Sequence, residues 1–70
     1  MIIDALRKKY EAEIAAAKAN INVYQTNPAA IGEHPDIVAA VDSEMVKLAD
    51  AEDKLETLNK HYGNQPDLLT

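Results

Sequence analysis

The sequence predicts an all-α fold: an antiparallel, coiled-coil-like two-helix hairpin, completed by oligomerisation into a helical bundle. Three observations lead there. Two long stretches carry apolar residues at alternating steps of three and four. The two glycines and three prolines (Gly32, Gly63, Pro28, Pro35 and Pro66) all fall outside those stretches. And 70 residues make one small domain at most, too short to bury a sizeable core alone.

The first helix is expected over about 3–26. Its seam is Ile3, Arg7, Tyr10, Ile14, Ala17, Ile21 and Tyr24, the 3.5-residue repeat of helices packed nearly side by side. The Ala-rich middle has high helix propensity. Asn27-Pro28 ends it, because a proline pushes the residue before it out of the helical region.

The second helix is expected over 35–62. Pro35 suits a first helical position, where no hydrogen bond is lost, with His34 at the N-cap. Asp36 then meets the positive end of the macrodipole. The apolar set reads Ile37, Val41, Met45, Leu48, Ala51, Leu55, Leu58 and Tyr62, and Gly63 supplies a left-handed stop.

The loop, 27–34, is short enough to make the helices antiparallel. Asn27 is read as capping a single turn from Pro28 to Gly32, with Ile31 over the open end of the core. Matching the seams sets Tyr24 near Ile37, Ile21 near Val41, Ile14 near Leu48 and Arg7 near Leu55. Charge agrees, since Arg7, Lys8 and Lys9 then fall beside Glu52, Asp53 and Glu56. The tail, 64–70, has turn chemistry followed by Leu68-Leu69.

Composition excludes several functions. There is no cysteine, so disulfides, thiolate metal sites and thiol catalysis are impossible. A net charge of −5 repels nucleic acid and anionic membranes. No apolar run approaches the roughly 20 residues of a membrane span. Met1-Ile2-Ile3-Asp4 is too short and acidic for a signal peptide. The expected location is cytoplasmic.

The residues with chemical potential read as structural. Glu33, His34 and Asp36 are ligand types, but Pro35 interrupts them and no second histidine is near. His61 suits a helix C-terminus as a cation. The histidines do not form an HExxH zinc pair, and no Gly-rich phosphate loop occurs. Ser43 has no histidine within reach on its own helix. Glu44 and Glu52 lie toward or beside the seam and are read as reaching to the bundle edge. Tyr10, Tyr24 and Tyr62 are read as core residues with rim hydroxyls rather than base-stacking platforms. No catalytic, cofactor-binding or metal-binding residue is assigned, and no cofactor is expected.

The candidate interface is better defined. Ala5, Ala12, Ala16, Ala19 and Val23 lie opposite the first seam, where small side chains let another backbone approach. On the second helix the apolar arc is wide, with Val38, Met45 and Ala49 on one flank and Ala40, Ala51 and Leu58 on the other. A single partner helix cannot cover it. The outer face, from Asp42 through Thr57, is polar apart from Val46.

The stretch Ala15-Ala16-Ala17-Lys18-Ala19-Asn20-Ile21 through Tyr24, with the junction Gly32-Glu33-His34-Pro35-Asp36-Ile37, resembles small helical proteins encoded by large tailed bacteriophages. With the second helix, the likeness covers about 11–62. It implies a phage accessory or virion-associated protein, found in the host cytoplasm or the virion, and implies no catalytic residues. In architecture the chain is also similar to the RNA-binding hairpin dimers that regulate plasmid copy number, but its outer faces lack a basic stripe. Arg7, Lys8, Lys9 and Lys18 are its candidate cationic residues. The expected function is therefore a non-enzymatic structural or protein-binding module acting as a homo-oligomer or on another protein. The alternative is a regulatory nucleic-acid-binding hairpin dimer.

Overall fold

A computed structural model describes residues 1–27 and 36–63. Two helices, α1 (Ile2–Thr26) and α2 (Ile37–Tyr62), pack against each other, and the described residues contain no strand. Residue numbers run in opposite directions across the contact, with Arg7 bonded to Asn59 and Asn20 to Glu44, so the pair is an antiparallel hairpin. The chain measures 50 × 18 × 15 Å, a layer little thicker than one helix with its side chains. No described helix is long and apolar enough to cross a membrane.

The helix ends explain the bounds. At the end of α1, Asn27 donates its backbone N–H to Val23 O, and Thr26 Oγ1 turns back to Asn22 O at 2.9 Å, so free carbonyls are satisfied locally. Asn27 thus closes α1. The turn expected from Pro28 to Gly32 lies outside the described residues.

The start of α2 differs from the expectation. Asp36 is the N-cap, its Oδ1 accepting from Ala39 N at 2.9 Å, and the helix begins at Ile37 rather than at Pro35. A carboxylate is a far stronger cap than an imidazole, and that decides between the two registers. His34 and Pro35 lie outside the described residues.

At the other end Gly63 is right-handed (φ −65°, ψ −30°), not left-handed. Its missing side chain serves close approach instead, since a Cβ there would run into the Asn59 carbonyl. Lys60 and His61 occupy the last turn, where the Lys60 ammonium suits the negative end of the macrodipole.

The α1 seam is as the period requires. Ile3, Arg7, Tyr10, Ile14, Ile21 and Tyr24 are half-buried and Ala17 is buried, with Leu6 joining the flank. On α2 one position is corrected. Met45 is 47% exposed, and the seam place belongs to Glu44, which is 5% exposed. From Ile37 to Val41 is a step of four, and a second four to Met45 turns the side chain about 80° away from Ile37. The alternation calls for three, which lands on Glu44. Tyr62, in the last turn of α2, is also half exposed.

Register and charge pairing are corrected too. Arg7 Nε donates to Asn59 Oδ1 at 3.1 Å, a turn beyond Leu55, and Ile14 shares a groove with Glu52 and Leu55. Among the described residues no ion pair bridges the helices. Arg7 and Lys8 pair with Asp4, Lys9 with Glu13, Lys47 with Glu44 and Lys54 with Asp50, each within its own helix. A partner three or four residues away is always within reach, whatever the neighbouring helix does.

Candidate interaction surface

The apolar interior is thin. Among the described residues the buried apolar set is Ala17, Ala51 and Leu58, and no large side chain is fully buried. Other seam aliphatics, such as Ile14, Ile21, Val41, Leu48 and Leu55, are only half covered. Among the described residues, one helix covers the contact stripe of the other and nothing covers its edges.

The candidate interface residues separate into two groups. Ala5, Ala12, Ala16, Ala19 and Val23 are all exposed on α1, as are Val38 and Met45 on α2. Leu58 is buried in the hairpin and belongs to its interior. The two flanks of the α2 arc therefore have different fates. Ala40, Ala51 and Leu58 turn toward α1, whereas Val38, Met45 and Ala49 remain in solvent. A residue 79% exposed, Val38, is followed two and three helical turns later by Met45 and Ala49 on the same flank. Val46 is 63% exposed on the polar outer face.

Beside the small residues Ala16, Ala17 and Ala51 lies the polar group that sequence reasoning underweighted. Asn20 Nδ2 donates to Glu44 Oε1 at 2.7 Å, and Lys47 Nζ donates to Glu44 Oε2 at 2.9 Å. Burial by itself raises the Glu44 carboxyl, and its hydrogen bonds outweigh that. The Asn20 hydrogen bond, with help from Lys47, holds the carboxyl below its ordinary value. The same contact raises the Lys47 ammonium. Glu44 was legible as a seam residue from the alternation of steps. Asn20, on the flank of α1, carried no such signal.

The remaining candidates are placed as follows. Glu52, Ser43 and His61 are exposed. Tyr10 is half-buried beneath the ammonium groups of Lys9 and Lys54, at 5.8 and 6.0 Å from its ring centroid. Tyr24 is half-buried, and Tyr62 stands edge-on to His61. Among the described residues, no group of three or more His, Asp or Glu side chains is arranged to hold a metal ion. Of the open grooves along the helix pair, one joins Ile14 and Leu55 to Glu52, Glu56, Asn59 and Lys60, and another joins Ile3, Leu6 and Leu58 to Asp53, Lys54 and Thr57. No family model matches the chain, and no curated protein or solved structure matches it either.

Proposed function

We propose that the chain is a non-enzymatic structural or protein-binding module whose hairpin is completed by a second copy, the two forming a helical bundle. The observation that carries this reading is the mismatch between a minimal interior, two alanines and one leucine, and the exposed apolar flank of Val38, Met45 and Ala49. The alanine face of α1 is the second surface for close helix approach.

Nucleic-acid binding is the weaker reading, because Arg7, Lys8 and Lys9 already have carboxylate partners and the net charge is −5. The resemblance to tailed-phage helical proteins favours a phage accessory or virion-associated role.

Light scattering coupled to size exclusion tests the proposal. The native chain is expected to run as a dimer or larger, and Met45→Glu to shift it toward monomer. A native chain that stays monomeric at micromolar concentration contradicts it.

A further inference from the structure

Glu44 is out of place in the seam by chemistry. A buried carboxylate stabilises a helix pair less well than an aliphatic group of similar size, even when its partners are complete. Its partners are complete, since no described buried side-chain oxygen or nitrogen lacks a hydrogen bond. Glu44 therefore does something other than hold the helices together.

Apolar seams with a 3.5-residue repeat fit each other in more than one alignment, because a slide by one turn sets one aliphatic against the next. A slide of two turns exchanges Leu55 for Leu48 beside Ile14. We infer that Asn20 and Glu44 form a register lock, which selects one antiparallel alignment of α1 and α2 from the several that the apolar seam tolerates.

The neighbours of Asn20 on α1 make the selection. A slip of one turn toward the start of α1 sets Ala16 and Ala17 against Glu44, and neither carries a donor. A slip the other way brings Val23, without a donor, and Tyr24, whose hydroxyl stands a full ring beyond the reach of the Asn20 amide. A slide by a whole seven-residue repeat opposes Glu44 to Glu13, a like charge, or to Asn27, beyond the last turn of α1.

Lys47 lies on the same helix as Glu44 and goes with it into every register. It neutralises the charge without distinguishing alignments. Asn20 is the group that distinguishes them, and Arg7 bonded to Asn59 reports the same alignment from the far end of the hairpin.

The test uses the absence of cysteine. Nitroxide labels on cysteines placed at Ala15 and Lys60, both exposed and well apart along the helix axis, report the sliding of α1 along α2. The labelled chain is diluted with excess unlabelled protein, so that only distances within one chain are read by dipolar spectroscopy. The native sequence is expected to give one narrow distance. The double variant Asn20→Leu with Glu44→Leu is expected to keep its helical circular dichroism and a melting temperature no lower than native. It should also gain a second distance population from a slip of about 5 Å along the axis. Glu44→Gln, which still accepts from Asn20, is expected to retain the single distance.

One unchanged narrow distance in the double variant overturns the lock. So does loss of helix in that variant, because the pair would then supply stability rather than register. A split distance in Glu44→Gln overturns it as well, by making the charge rather than the hydrogen bond the selective element.

Discussion

Glu44 ties a single side chain to solution behaviour. Its carboxyl is held below its ordinary value by Asn20 first and Lys47 second. A carboxyl with a folded value below its unfolded one adds stability above the unfolded value, and loses it as pH falls through the folded value. Urea midpoints of the native chain should therefore drop on acidification below about pH 4.5, and Glu44→Gln should show a shallower drop. Parallel acid limbs would show that Glu44 is not among the groups responsible. Packing makes a second prediction. Leu58→Ala should cost about 2–5 kcal/mol in denaturant unfolding, as for a buried leucine, whereas Val46→Ala should stay within about 0.5 kcal/mol. A Val46 variant as damaged as Leu58→Ala would place the outer face of α2 in an interface. Residue identity misled where it disagreed with the period. Met45 is apolar and Glu44 charged, so apolarity chose the wrong neighbour, although the steps around it pointed to Glu44.

At the scale of elements, both helices were legible because their determinants are local. Uninterrupted helix formers, a seam repeat and proline or glycine beyond three of the four ends are all properties of neighbouring residues. The start of α2 was less so, since His34-Pro35 and Asp36 offer competing starts and only the Asp36–Ala39 bond decides between them. Asp36→Ala should cost about 1 kcal/mol of stability, read from the shift in thermal or urea midpoint. Register was not legible from charge, because the ion pairs of the described residues form within each helix, or from the apolar repeat, which is nearly degenerate under a one-turn slide. The alanine face of α1 has its own test. Ala16→Glu should weaken association while leaving helical content intact, since glutamate is a good helix former, and Ala15→Glu on the polar side should associate normally. Equal and negligible effects on molar mass would leave the Val38–Met45 flank as the surface for a partner.

The whole molecule is a layer 15 Å thick in its thinnest direction, and that dimension governs its energetics. In a layer of two helices each seam residue has cover from one side only, so Ile14, Leu48 and Leu55 remain half in water. Salt bridges add little to such a layer, at a few tenths of a kcal/mol for each pair within a helix. Small domains without disulfides or metals usually gain the missing burial from a partner subunit. If the second copy supplies it here, folding and association are one equilibrium. The most direct measurement is thermal unfolding by circular dichroism over a hundredfold range of chain concentration. The midpoint is expected to rise by several degrees across that range, because mass action favours the associated folded state. A midpoint independent of concentration, with sedimentation giving the mass of one 7.7 kDa chain throughout, would contradict a hairpin completed by its own copy.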